Sequence, residues 1–381
     1  MRRARIVLLL TALLAAACVL LRPMPACSES VRTSARATIV IDAISGRALL
    51  EANADEPLPM ASTTKVMTAL LAIEKGCMTD PVTCSRNAFG VPGTSIYLSE
   101  GETLTLEQML YGLMLSSGND AAVAIAEHIG GSMSEFCRMM TDRATALGCT
   151  DTVFLTPHGL PMQGHYTTAR DLARIARAAM QYPLFRQIVS TTRATIPWEG
   201  RRYDRVLNNK NRLLRTYQGA TGIKTGYTRA AGRCLVFGAR RDGMELIGVV
   251  LNCADWFDEA ERLLDLAFER YHACTMLCRG DIIRALPVDG SDVLLVPCVL
   301  ASDLCAVIEQ NDSPALSIEL PPSLTAPVHA GDVVGKASLV CGDVTLGVAD
   351  IIAADDAPLR NLQTQFHKYL RNWLILPVSE Y

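Results

Sequence analysis

The sequence predicts an α/β (α+β) domain, an antiparallel sheet flanked by helices, then a small all-β sandwich-like domain and a C-terminal amphipathic helix. Three observations carry this. Strand-like hairpins open and close the stretch 37–271, with helical runs between them. Composition shifts at about residue 275, where valines and prolines replace helical patterning. Aromatic and basic residues recur at helical spacing over 359–376.

Arg2, Arg3 and Arg5 precede an apolar run from Ile6 to Leu21, and small and polar residues follow. This is the pattern of a secretory signal peptide over 1–26, with an uncleaved anchor as the alternative. Ala37–Ile44 is rich in β-branched residues and turns at Ser45-Gly46 into a second arm, Arg47–Leu50. Thr63–Lys75 is apolar almost all round, which marks a buried helix, and Gly76 stands where a left-handed C-cap would end it. Further helices are expected over 106–114, 120–129, 133–147 and 168–181. The runs 233–239 and 245–251 read as a hairpin through Asp242-Gly243, and 257–271 as a closing amphipathic helix. Strands over 293–296, 316–320, 333–340 and 344–352 then build the β-rich domain, 275–357.

The chain has 381 residues and a net charge of -3, so it carries no basic field for nucleic acid. No GxxxxGK[ST], HExxH or CxxC pattern occurs, which leaves nucleotide, zinc-protease and dithiol chemistry without support. Thirteen cysteines are present. Cys77/Cys84, Cys274/Cys278 and Cys298/Cys305 are close enough in sequence to pair, but most cysteines are expected to be small buried apolar residues.

Three short motifs carry chemistry. Ser62-Thr63-Thr64-Lys65 opens the buried helix, and its spacing sets Ser62 and Lys65 one turn apart on one face. A serine hydroxyl needs a base, and a lysine serves only when burial and neighbouring positive charge lower its pKa. Ser117-Gly118-Asn119 lies in a loop between two helices. Its hydroxyl suits proton relay, and its amide suits holding the lysine and a substrate carbonyl. Lys224-Thr225-Gly226 precedes the closing hairpin as an edge strand, offering a cation, a hydroxyl and room for a peptide backbone. Singly, the first two motifs read better as a chance helix start and a capping loop, and the third reads also as an ordinary glycine-rich turn. Their order and element context make them significant together.

With these motifs, Thr156-Pro157-His158-Gly159-Leu160 and Gly331-Asp332-Val333-Val334-Gly335, the sequence resembles the low-molecular-weight penicillin-binding proteins with D-Ala-D-Ala carboxypeptidase activity. The resemblance implies a penicillin-binding transpeptidase/β-lactamase-like domain in which Ser62 is the acyl-ester nucleophile and Lys65 its proton acceptor. It implies that Ser117 and Asn119 complete the proton network, that Lys224, Thr225 and Gly226 bind substrate, and that backbone N–H groups of Ser62 and Tyr227 form an oxyanion hole. Peptidoglycan stem peptides ending in D-Ala-D-Ala and β-lactams are the implied partners, and the aromatic and basic pattern over 359–376 adds the extracytoplasmic face of the cytoplasmic membrane. No metal or organic cofactor is implied. A β-lactamase is the nearest alternative, but residues 156–168 contain no glutamate for deacylation. A D,D-endopeptidase and a silent β-lactam sensor are the others. Trp256 stands where many such relatives have an arginine for the substrate carboxylate. Lys224, Thr225 and the exposed-turn Arg229 are the candidates to replace it.

Overall fold

The computed structural model describes residues 29–309, 312–342 and 344–360, with Phe366 and Leu370. The expected signal peptide over 1–26 and nearly all of the helix over 359–376 lie outside the described residues. No helix among the described residues is long and apolar enough to cross a membrane. The chain divides into two compact units, at His272 and Ala273.

In chain order the larger unit contains β1 (Glu29–Ser30), β2 (Ala37–Asp42), β3 (Ala48–Ala52), a 3-10 turn (Ala61–Thr64), α1 (Lys65–Lys75), β4 (Pro81–Thr83) and β5 (Thr103–Thr105). Then come α2 (Leu106–Leu115), α3 (Asn119–Gly130), α4 (Met133–Ala146), α5 (Ala169–Ala179), α6 (Pro183–Ser190), β6 (Arg193–Ile196), β7 (Arg205–Asn208) and α7 (Leu213–Thr216). β8 (Ala220–Thr228), β9 (Gly232–Arg241), β10 (Met244–Leu251) and α8 (Trp256–Arg270) complete it. Its main sheet has the order β1-β3-β2-β10-β9-β8, antiparallel except for the β1–β3 pair, so β8 is an edge. β9 and β10 are buried on both faces, which is why they read as continuous apolar runs. Asp242 and Gly243 both have positive φ, as a tight hairpin turn with matching twist requires.

α1 lies in the centre, with Lys65 through Ala72 all buried. The expected helix from Thr63 begins instead as a 3-10 turn, because the Thr63 and Thr64 hydroxyls donate to Met60 O and Ala61 O at 2.6 and 2.8 Å. Gly76 does end α1, but with extended backbone rather than a left-handed cap. Its need for glycine is spatial: a Cβ there would lie 2.3 Å from Leu106 Cδ2 and 2.8 Å from Ile129 Cδ1. α2 is capped by reciprocal bonds between Thr105 and Gln108, and α5 by Thr168 Oγ1 accepting from Asp171 N.

The smaller unit holds β12 (Ile282–Asp289), β13 (Leu295–Leu300), β14 (Leu304–Glu309), β15 (Ala315–Glu319), β16 (Leu324–Thr325), β17 (Val333–Cys341) and β18 (Val344–Ala353). Its sheet has the order β15-β17-β18-β13-β12-β16. β14 pairs with β11 (Tyr271–Leu277) and packs on β17 and β18, closing a small core that includes Val296, Leu304, Leu339 and Ile351. β12 and β14 carry no clean alternation and were not expected. Eleven cysteines are described and all are free thiols, six of them buried, so none of the three candidate pairs is joined.

One buried ion pair positions the loop before α2. Arg205 on β7 and Glu102 are both almost fully enclosed, 2.8 Å apart, and Arg205 also donates to Tyr97 O. Glu102→Ala leaves that guanidinium buried without its counter-charge and is expected to cost about 3–5 kcal/mol, read by chemical denaturation. Glu102→Gln, which keeps the acceptor oxygen, should cost less.

Candidate active site

The start of α1, the α2–α3 loop, the loop 156–160 and the edge strand β8 meet around a cleft of about 370 Å³. Ser62, Ser117, Asn119, Thr225, Gly226 and Tyr227 line it, so residues far apart in sequence converge as the three motifs require.

Lys65 is fully buried beneath Ser62. Its Nζ lies 2.7 Å from Asn119 Oδ1, 2.8 Å from His158 O and 3.0 Å from Ser62 Oγ. Two acceptors that cannot donate fix two N–H bonds, so the remaining position on nitrogen faces the serine. When the amine is neutral, that position is the lone pair. Burial, then the positive charges of Lys224 and Lys210, hold the Lys65 pKa well below its ordinary value, against an opposing pull from Asp120. The lowered pKa is therefore a property of the surroundings.

The loop 156–160 is fastened to α1. Thr68 Oγ1 donates to Pro157 O at 2.6 Å, and Gly159 N donates to Thr156 Oγ1 at 3.0 Å. Gly159 has φ +84, and a Cβ there would fall 1.8 Å from Ala61 O. Only glycine lets this loop come close enough for His158 O to reach the lysine.

Ser117 also has positive φ, 64°, a strained backbone for a serine. Its buried Oγ has no hydrogen-bond partner among the described residues. Asn119 Nδ2 donates to Pro92 O at 2.6 Å. The next residue, Asp120, accepts from Ser95 Oγ at 2.6 Å and from Ile96 N and Leu98 N at 3.1 Å. The loop 92–98, which brings Gly93 and Thr94 to the cleft, is thus wrapped around a carboxylate adjacent to the motif.

On β8, Lys224 is buried and its Nζ donates to Thr225 O at 3.0 Å. Burial and the charge of Lys210 bring its pKa down to about 7. Gly226 lies against the start of α1, where a Cβ would be 2.9 Å from Ser62 N. Tyr227 follows with its side chain exposed.

Arg229 does not line the cleft. It lies beyond the end of β8, exposed, because the strand carries it past Thr228. Lys210 and Trp256 do line the cleft. Sequence reasoning missed Lys210. It sits in the loop after β7, shaped by local bonds from Asn211 N to Asn209 Oδ1 and from Leu213 N to Asn211 Oδ1. The asparagines flanking Lys210 signal a turn, and nothing in their spacing points at the motifs.

Residues 25–255 match the family described as D-alanyl-D-alanine carboxypeptidase, and residues 271–358 match the penicillin-binding protein 5 C-terminal domain. The chain is similar to D-alanyl-D-alanine carboxypeptidase DacF of Bacillus subtilis, 30% identical over 89% of this chain and 90% of the relative. DacC of Escherichia coli is 33% identical over 81% of this chain and 80% of its own. Penicillin-binding protein 5 of Haemophilus influenzae superposes with a TM-score of 0.69 at 28% identity, covering 86% of this chain and 98% of that one.

The two lysines fix the expected pH dependence of kcat/KM, which reports the free enzyme. The roles expected from the sequence require Lys65 to be neutral, above its lowered pKa, and Lys224 to be protonated, below about 7. The profile is therefore a bell. Lys210→Ala removes a charge that lowers both pKa values, so both limbs are expected to move to higher pH. Limbs that stay in place would show that the Lys210 charge is not felt.

Proposed function

The chain belongs to the D-alanyl-D-alanine carboxypeptidase family, and on that premise we propose that Ser62 carries the acyl intermediate. The reaction is serine-type hydrolysis of the terminal D-Ala-D-Ala bond of peptidoglycan stem peptides. The observation that carries the assignment is the buried Lys65 Nζ, 3.0 Å from Ser62 Oγ and depressed in pKa.

Neutral Lys65 takes the Ser62 proton as Oγ attacks the carbonyl carbon of the penultimate D-alanine. The oxyanion is held by the N–H groups of Ser62, in the 3-10 turn before α1, and of Tyr227, on β8. The proton passes by way of Ser117, whose unpartnered Oγ suits the task, to the leaving amine, and D-alanine departs. Water then attacks the ester and returns the proton to Ser62. Lys210, Lys224 and Thr225 hold the substrate's terminal carboxylate. A carboxylate beside Lys224 raises its pKa and restores its charge. β-Lactams acylate Ser62 by the same route and leave slowly. Export through the segment 1–26 and peripheral attachment of the segment 359–376 to an anionic membrane surface complete the reading. Their support is the sequence pattern.

Acylation by a fluorescent penicillin and D-alanine release from a D-Ala-D-Ala peptide test the assignment together. Ser62→Ala is expected to abolish both, and a surviving covalent adduct would refute the nucleophile. Lys65→Arg keeps charge but cannot act as base, so activity should fall by about 10²–10⁴-fold. For the membrane, the chain is best cut after Arg360, because Ala357 pairs with Val328 and Arg360 Nε bonds Asp292 at 3.0 Å within the β-rich unit. The shortened enzyme should lose binding to anionic vesicles and keep D-alanine release. Undiminished vesicle binding would discard the attachment.

A further inference from the structure

A cavity of about 520 Å³ in the larger unit shares no lining residue with the catalytic cleft. Its floor is apolar, formed by Ile39 and Ile41 of β2, Leu147 just after α4 and Ala178 of α5. Its rim is cationic. Arg170, Arg174 and Arg177 stand at i, i+4 and i+7 on α5, so one helix face presents all three over about 10 Å. Arg186 of α6 adds a fourth. Ile39 and Ile41 are buried while the Arg174 side chain is 43% exposed, so polarity rises from floor to mouth.

Three of these arginines have carboxylate partners. Arg170 is bonded to Glu51 and Asp55, Arg174 to Asp171 and Gly148 O, and Arg186 to Glu245 and Met180 O. Arg177 differs. Its Nε donates to Ala43 O at 3.0 Å and its Nη2 to Ile44 O, and no carboxylate pairs with it among the described residues. The turn 43–46 therefore fixes this guanidinium in place without neutralising it. Its Nη1 lies 2.9 Å from where a Cβ on Gly46 would stand, so the group rests against the turn that lines the cavity. The bonds named engage Nε and Nη2 of Arg170, Nη1 of Arg174, Nε and Nη2 of Arg177, and Nε and Nη1 of Arg186. A guanidinium carries five N–H groups, so each keeps at least two for a ligand. Glu245 also lines the cavity, and its charge turns an anion away from Arg186 toward α5.

We propose that this cavity binds a small soluble phosphate monoester, with the phosphate on Arg177 and Arg174 and a compact apolar group on the isoleucine floor. Guanidinium forks match oxyanions in shape and charge. A carboxylate fills one fork with its two oxygens, whereas a phosphate monoester has three terminal oxygens and accepts from neighbouring forks on one helix face. The apolar group gains by leaving water for the floor. A membrane lipid would enter in the opposite sense, headgroup first with its chains outside, and would set its phosphate against the apolar floor at a cost in hydration.

Isothermal titration of the full chain with inorganic phosphate, hexyl phosphate and hexanol tests the site. Hexyl phosphate is expected to bind at least about tenfold more tightly than inorganic phosphate, and hexanol to show no saturable binding. Arg177→Ala should weaken hexyl phosphate by about ten- to a hundredfold while thermal unfolding stays cooperative. Should Arg177→Ala fail to fold, Arg174→Gln, at an exposed side chain, takes its place with a weakening of at least about tenfold. Absence of phosphate binding, equal affinity for the two phosphates, saturable binding of hexanol, or a folded variant that binds like the unaltered chain would overturn the proposal. Flotation of the full chain with phosphatidic acid vesicles should be unchanged by Arg177→Ala, and a loss there would overturn it in favour of a lipid headgroup. None of these readouts depends on the assignment of Ser62.

Discussion

A lysine amine enclosed by protein, with two backbone or amide oxygens on its hydrogens and a serine hydroxyl on its remaining side, is the constraint around which the larger unit is arranged. Such an amine is costly to bury in charged form. The fold makes protonation of this amine less favourable than in water. Burial and the positive charges of Lys224 and Lys210 raise the electrostatic cost of protonation. The helix is hydrophobic all round because its first residue needs a dry setting, and a helix buried on every side requires a domain large enough to enclose it.

The supports of the lysine come from three separate chain segments, each secured by its own polar device. Asn119 is placed by the strained turn at Ser117 and by its bond to Pro92 O. His158 O is placed by a glycine with no room for a Cβ. The loop over the cleft is held from one side by the Asp120 carboxylate and from the other by the enclosed Arg205–Glu102 pair. Removing any one of these loosens a contact to Lys65 or to the cleft wall without altering Ser62 itself. This division suits chemistry that needs reacting groups set within a fraction of an ångström.

The carboxylate end and the upstream end of β8 differ in character for the same electrostatic reason. Lys210 and Lys224 bring basic groups to one end, and their charge also lowers the pKa of Lys65. At the other end the wall carries methionine, proline and tyrosine, and its one histidine is kept neutral. The surroundings of β8 thus change from the lysine-bearing cleft lined by Ser62 to an uncharged cavity.

The sequence by itself determined the sheet's principal hairpins, the buried helix, most later helices and the three motifs, since each rests on local periodicity or spacing of a few residues. The hairpin β6–β7 and helix α6 escaped it: four-residue strands such as Arg193–Ile196 are mostly exposed, and Pro183 restarts a helix just after α5 ends. Only the tertiary structure decided that His158 offers its carbonyl to Lys65, that Lys210 lines the cleft and that Arg229 does not. These depend on where a loop's backbone oxygen or a lone side chain comes to rest after folding. Contacts of that kind, made across tens of residues and set by packing and desolvation, leave no period in the chain.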